Sequence, residues 1–213
     1  WVHHPDNVTP SEEILRGLED LSRTGKILYA GLSNFPAWRL SRAATIAELK
    51  NTVPIAAAQF QHSLVNREPE ADLIPASQAL GLGMVTWSPL GGGMLTGKYR
   101  KGEKGREEGF GGKVFQQENS IQRTVILDAV LSIAGELSVS ADQVAIAWAG
   151  THGPIPIIGP KSLQQAESNL HAIDVVLSPD QIQLLDSVSR ITTSDQNRIP
   201  ILSSGIKHQT IIA

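Results

Sequence analysis

Short apolar runs alternate with amphipathic helical segments along most of this chain, and that alternation leaves few folds open to it. Residues 1–4, 27–32, 53–60, 84–87 and 155–158 read as strands, and each is followed by helix signals. After the first run, Thr9-Pro10-Ser11-Glu12 is a helix start. Thr9 is placed to cap, Pro10 suits the first helical position, and Glu12 can return a capping-box bond. Ile14, Leu15, Leu18 and Leu21 follow at helical spacing and Gly25 closes the segment. Residues 38–49 predict a second helix, 70–80 a third disturbed by Pro75, and 121–137 a fourth. Further capping boxes open at Ser140, Ser162 and Ser178, each with Gln three residues on. Strands alternating with helices in this way indicate βα units around a parallel sheet, an α/β fold. The 213 residues are enough for one domain with a sizeable core, predicted to span 1–213.

Two segments break the rhythm. Residues 99–119 are rich in Gly, Lys, Arg and Glu, with Phe110 and Phe115 as large apolar anchors, and predict a long binding or lid loop. The tail from Thr192 is polar and predicts no element.

The stretch from Val85 to Lys98 joins an apolar strand, an aromatic residue at Trp87, three consecutive glycines and a cation. Glycine admits backbone close to a ligand, and the order of parts suits a stacked ring followed by phosphates. Gly92 to Lys98 also fits the spacing of a phosphate loop, but Tyr99 stands where that loop needs a Ser or Thr for magnesium. On its own the stretch fits a strand with a plain glycine turn equally well.

Charge narrows the partners. The net charge is -3 and the basic residues are dispersed, which argues against a nucleic-acid surface. There is no cysteine, hence no disulfide and no thiolate metal site; a reducing, cytoplasmic setting is the expectation. No apolar run approaches the ~20 residues of a membrane span, and no signal peptide is visible. The first residues already read as strand without an initiator Met, so the protein is expected to begin upstream.

In parallel α/β folds ligands bind at the carboxyl ends of strands. Those ends carry His3 and His4, Ser33 and Asn34, Gln59 and Gln61, Trp87 and Ser88, then Gly159 and Lys161. His3 and His4 are adjacent in a strand and point to opposite faces, which argues against a two-histidine metal site; no metal is expected. Ser33 and Asn34 suit an amide ligand or a simple turn. Gln59 lies in an apolar strand and needs a partner for its amide. Trp87 is either core or a stacking plate. Gly159-Pro160-Lys161-Ser162 precedes a helix whose N-terminus favours phosphate, although a plain cap reads the same way. No Gly-x-Gly-x-x-Gly follows a strand, and neither a serine nucleophile elbow nor HExxH is present.

Taken in order, Trp-Val-His-His-Pro-Asp, Gly-Leu-Ser-Asn-Phe, Ala-Gln-x-x-x-Ser-Leu, Trp-Ser-Pro-Leu-x-x-Gly-x-Leu-Thr-Gly-Lys and Ile-x-Gly-x-Lys-Ser resemble the aldo-keto reductases. The resemblance runs from His3 to about Leu185. It implies a (β/α)8 TIM barrel, of which about five C-terminal βα units are present, and an NADPH cofactor bound without a Rossmann domain. By position, His3 resembles the active-site histidine that orients a substrate carbonyl. Ser33, Asn34 and Gln59 match the groups that hold the nicotinamide carboxamide, and Trp87 the aromatic stacked on its ring. Ser88, Leu90, Gly91, Gly93 and Lys98 lie along the pyrophosphate segment. Gly159, Lys161 and Ser162 fall where the family grips the 2′-phosphate, and Gln165 and Asn169 on the adenine side. Residues 99–119 match the variable loop near the cofactor.

The departures are as informative. The family's general acid is a Tyr supported by a Lys and an Asp from the first part of the barrel, and none is here; Tyr29 and Tyr99 stand in other contexts. Ser168 replaces the acidic residue usual before the helix Asn. Five strands cannot close an eight-stranded barrel, and an open edge invites aggregation. The resemblance implies NADPH-dependent reduction of a small-molecule aldehyde or ketone by the intact protein. The alternatives are a non-catalytic NADP(H)-binding module, such as a regulatory subunit, or an inactive barrel fragment. Substrate identity and oligomeric state are not legible.

Overall fold

The computed structural model describes residues 1–6, 8–101 and 117–190. Most of the predicted 99–119 loop, and the tail from Thr192, lie outside the described residues. Four strands, β1 (Ala30–Ser33), β2 (Ile55–Gln61), β3 (Gly83–Trp87) and β4 (Ile155–Ile157), form one sheet in the order β1-β2-β3-β4. Every pairing is parallel. Helices α1 (Ser11–Arg23), α2 (Ala37–Leu49), α3 (Leu73–Ala79), α4 (Ile121–Leu137), α5 (Ala141–Thr151), α6 (Leu163–Leu170) and α7 (Pro179–Ser189) complete the described chain. Among the described residues no single helix is long and apolar enough to cross a membrane.

The strands are shorter than the apolar runs, for local reasons. The run at 1–4 contributes a one-residue bridge: the Val2 N–H donates to the Gly31 carbonyl at 3.0 Å and the Ser33 N–H to the Val2 carbonyl at 2.8 Å. Residues 27–29 stay out of the sheet because β2, their only neighbour on that side, begins pairing at Ile55. Leu28 and Tyr29 are accordingly exposed. Val53 gives its N–H to Glu19 Oε2 at 2.6 Å, and Pro54 has none to give.

Helix starts show similar substitutions of partner. Thr9 does not cap α1. Its hydroxyl donates to Asp6 Oδ2 at 2.7 Å, and Pro10 occupies the N-cap position. The backbone N–H of Thr9, with its hydroxyl and the Val8 N–H, holds the Asp6 carboxyl below its ordinary range. Pro75 does not disturb α3, because it falls in the first turn, where its N–H is not needed. The irregularity lies just upstream, in the 3-10 turn Glu68–Ala71. The capping boxes at Ser140 and Ser178 form in full. At Ser162 only half forms: its Oγ accepts from the Gln165 N–H, while Gln165 Oε1 reaches back to the Lys161 N–H at 2.8 Å.

Two apolar cores result. In the first, Leu32, Ala58 and Phe60 of the sheet pack against Leu15 and Leu18 of α1 and Leu40, Ala43 and Ala47 of α2. In the second, Met94 and Leu95 from the turn after β3 pack among Val130, Ile133, Val144, Trp148 and Leu185 of α4, α5 and α7. The other face of the sheet belongs to neither. Gln59 and Val85 are paired there, Gln61 and Trp87 beside them, and Ile155 and Ile157 complete the row on β4. Ile155 is 68% exposed. At β1 the Trp1 indole lies on this face against Gly31, so close that a Cβ on Gly31 would fall 2.5 Å from the ring.

A polar cluster fastens β2 to the second core. His62, just past β2, is fully buried, stacks on Trp148 at 5.3 Å, and places Nε2 2.8 Å from Glu70 Oε1. Arg67 forks onto both Glu70 oxygens at 2.7 Å and donates to the Asp186 carbonyl and Ser189 Oγ of α7. Asp186 Oδ1 in turn accepts from Trp148 Nε1 at 3.0 Å and faces His152 Nε2 at 3.1 Å. Burial acts to raise the Glu70 carboxyl, but hydrogen bonds and charge from His62 and Arg67 outweigh it and bring it from 4.5 to about 2.

A carboxyl depressed in this way contributes its full stabilisation above its unfolded value, and loses it as pH falls through the folded one. Urea unfolding between the ordinary 4.5 and about 2 should therefore show stability falling with pH, and Glu70→Gln should flatten that slope. Arg67→Ala should cost about 3 kcal/mol or more at neutral pH, because it leaves two carboxylates without their cation. A wild-type-like unfolding midpoint for Arg67→Ala would contradict this.

Candidate functional site

Parallel pairing brings the ends of β1, β2, β3 and β4 to one edge. Ser33 at the end of β1 is fully buried and pairs in register with Gln59. Its Oγ donates to Gln59 Oε1 at 3.3 Å. The next residue, Asn34, has a left-handed backbone with φ 58, which Asn tolerates better than most residues. Its N–H continues the ladder to the Gln59 carbonyl at 2.8 Å. Its side-chain Nδ2 donates to the His3 carbonyl at 2.8 Å and to Ser33 Oγ at 3.0 Å, and lies 3.4 Å from His4 Nδ1. Its Oδ1 accepts from the Trp87 indole Nε1 at 3.0 Å. Trp87 is half-buried, so part of its ring remains open to solvent. His3 joins the network through its backbone, and its side chain stays exposed.

After β3 the chain turns sharply. Ser88 is also left-handed, at φ 60, and Gly91, Gly92 and Gly93 follow at φ 55, 68 and 96. Three residues running in that region require glycine. Their N–H groups are spent inside the turn: Gly91 and Gly92 donate to the Ser88 carbonyl and Oγ, and Gly93 to the Leu90 carbonyl. Leu95 also donates to Leu90. The glycines therefore shape the turn and allow close approach, rather than presenting free N–H donors. Tyr99 seals it, donating its hydroxyl to the Gly92 carbonyl at 3.0 Å. Lys98 Nζ lies 5.2 Å from the centre of the Tyr99 ring, and both side chains press on Gly93.

Beyond β4, Lys161 and Ser162 are exposed at the start of α6. Ser162 Oγ serves as the cap of that helix, accepting from the Gln165 N–H at 3.2 Å. Gln165 is exposed and uses Oε1 on Lys161, while Asn169 is buried at 7% exposure. Ser168 has a structural partner on α5: its Oγ donates to Asp142 Oδ2 at 2.8 Å, and its carbonyl accepts from Gln143. Among the described residues no group of three or more metal-ligating side chains is placed to hold an ion. The edge thus joins a half-buried tryptophan, a half-buried amide network, a glycine turn and two lysines.

The sequence profile of the Aldo/keto reductase family matches residues 1–190. The chain belongs to that family. Its relatives include the uncharacterized oxidoreductase YrpG of Bacillus subtilis, 32% identical over 88% of this chain and 56% of its own length. Versiconal hemiacetal acetate reductase of Aspergillus parasiticus is 31% identical over 87% of this chain and 55% of its own. Human aflatoxin B1 aldehyde reductase member 4 is 30% identical over 82% and 58%. The chain therefore spans a little over half the length of these aldo/keto reductase relatives.

Sequence reasoning missed the buried contacts that hold the site from behind. Nothing marked Arg67, Glu70 and Asp186 as one cluster: Arg67 and Glu70 share one turn, but Asp186 lies far along the chain on α7. The Tyr99 contact with the glycine turn was equally hidden, although its place directly after Lys98 was a usable signal.

Gly93→Ala should destabilise this aldo/keto reductase fold by about 1–2 kcal/mol, the cost of a left-handed residue with a side chain. Its Cβ would also meet Lys98 Cε and Tyr99 Oη at 3.1 Å. An unchanged urea midpoint would show that the turn is not held as described.

Proposed function

We propose that this protein acts as an NADPH-dependent reductase of small aldehydes or ketones. The observation that carries the reading is the half-buried Trp87 ring, hydrogen-bonded to Asn34, paired across the strands with Gln61 and on the same sheet face as Gln59, at the mouth of the glycine turn. A nicotinamide dinucleotide bound there supplies hydride to a carbonyl carbon. The residues present suit such a group. Trp87 presents an aromatic face for a flat ring. Gln59 has its Nε2 uncommitted among the described residues, a donor for an amide oxygen. Gly93 leaves room where a side chain would fill the turn, and Lys98 adds a cation beside it. Lys161 adds a second cation at the N-terminus of α6, where helix N–H groups favour an anion such as a 2′-phosphate. His3 lies at the rim, placed to hydrogen-bond a substrate oxygen and steady the charge that develops on it. Gln165 and Asn169 remain assigned to the adenine side, Gln165 through its exposed surface.

In this reading the open face of the sheet is closed by further βα units into a (β/α)8 barrel. Those units bring the Tyr that protonates the product oxygen, with its Lys and Asp. A cytoplasmic setting and a small-molecule carbonyl partner belong to the same proposal.

A second reading is a module that binds NADP(H) without turnover, since neither tyrosine of the described residues offers an unengaged hydroxyl at the strand ends. Tyr29 sits just before β1, at the opposite edge of the sheet from the strand ends, and the Tyr99 hydroxyl is engaged with Gly92. NADPH oxidation in the presence of an aldehyde panel separates the two. Turnover supports the reductase, and tight binding without turnover supports the module.

Lys161→Ala should weaken NADPH by about tenfold or more, equivalent to ~1.4 kcal/mol, and leave NADH nearly unchanged. Fluorescence titration with both nucleotides measures this. Equal losses would overturn the 2′-phosphate assignment.

A further inference from the structure

One fully buried titratable side chain takes no part in the chemistry proposed above. His62 is the first residue past β2, and its ring is shut off from solvent. Its backbone N–H donates to the Trp87 carbonyl at 3.4 Å, the last rung between β2 and β3 before the chain turns left-handed at Ser88. The ring lies on Trp148 of α5, with centroids 5.3 Å apart and planes 24° from parallel. Its Nε2 is 2.8 Å from Glu70 Oε1, whereas Nδ1 is buried without a partner among the described residues.

We propose that His62 is a positioning residue: an imidazole with its proton on Nε2, donated to Glu70, which holds the end of β2 against the Trp87 carbonyl and so sets the backbone from which the Trp87 indole projects. The tautomer follows from the partners on each side of the ring. A carboxylate only accepts, so the nitrogen facing Glu70 must bring the hydrogen. Arg67 already gives Glu70 a cation through two bonds at 2.7 Å, so Glu70 needs one N–H from the imidazole and no further charge. A hydrogen on Nδ1 instead would be a buried donor with no acceptor, which costs more than a bare lone pair.

The hold follows from the same bonds. Stacking on Trp148 alone would let the ring turn in its own plane, and the bond to Glu70 removes that freedom. Glu70 cannot drift, because Arg67 is itself anchored on the Asp186 carbonyl and Ser189 Oγ of α7. The rung from His62 to Trp87 is longer than an ordinary N–H···O bond, so its geometry depends on what fixes His62. An apolar side chain at this position would still cover Trp148 and would lose the hold.

Only the last step, from the Trp87 backbone to a bound ring, rests on the nucleotide reading, and it is tested apart. The first two measurements need no nucleotide. Nitrogen–proton NMR of the wild-type imidazole at neutral pH should show a protonated Nε2 and a bare Nδ1. A proton on Nδ1, or averaging between the two nitrogens, would overturn the assignment. Backbone exchange of the residue-62 N–H is then compared in wild type, His62→Leu and His62→Gln, the last of which keeps an N–H for Glu70. The Leu variant should exchange about tenfold faster and the Gln variant return toward wild type. The Asn34 N–H, bonded to the Gln59 carbonyl at 2.8 Å, is the control and should not change. An unchanged rate at residue 62 in the Leu variant, or an equal rise at Asn34, would overturn the positioning role.

The last measurement compares NADPH with 2′-phospho-ADP-ribose, which lacks the nicotinamide. His62→Leu should weaken NADPH about fivefold and leave the truncated nucleotide unchanged. Equal losses for both would show that His62 does not act through Trp87. If wild type binds neither nucleotide, the reductase reading itself fails, while the tautomer and the exchange rates still decide the role of His62.

Discussion

Parallel pairing is the constraint on which the site depends. Each strand of a parallel sheet must be followed by a return across the fold, so every carboxyl end opens on the same edge. That is how Ser33, Gln59, Trp87 and Lys161, far apart in sequence, come to one edge. The register then decides which side chains face the open side. Ser33 pairs with Gln59, Gln61 with Trp87, and Trp87 with Ile157, all on the face that neither apolar core covers. A slip of one residue would turn Gln59 and Trp87 toward the helices and bring Ala58 and Thr86 to the site.

The helical layer does more than cover the sheet. Met94 and Leu95 sink into the core formed by α4, α5 and α7, which anchors one end of a turn whose glycines would otherwise be loose. Tyr99 fastens the other end by its bond to Gly92. The Arg67 cluster does the same for the end of β2, tying it to α5 and α7 through charge-assisted bonds. Burying such charges is costly unless every partner is present, so the cluster specifies one packing of these elements. The first core, around α1 and α2, holds β1 and β2 from the same side.

The βα order, the helix caps at Ser140 and Ser178, and which polar and aromatic residues fall at the strand ends were readable because each is a local pattern. What was not readable depended on neighbours. The strand at residues 1–4 shrinks to Val2 because only one position finds a partner. Thr9 fails as a cap because Asp6 captures its hydroxyl first. Asn34 read as a turn residue or an amide binder, and only the fold shows its amide spent on Trp87 and His3. Ser168, a departure from the family pattern, docks α6 on α5. Asn169 matches an adenine contact by position, and the packing of α6 leaves it 7% exposed, which the local sequence did not mark.

Backbone hydrogen exchange with and without NADPH, read by mass spectrometry along the chain, tests the central claim that one sheet edge forms a nucleotide platform. Slower exchange confined to the segments around Asn34, Gln59, residues 87–98 and residues 159–165, with α4 and α7 unchanged, is the expected result. No protection, or protection centred on α7 and away from the strand ends, would contradict it.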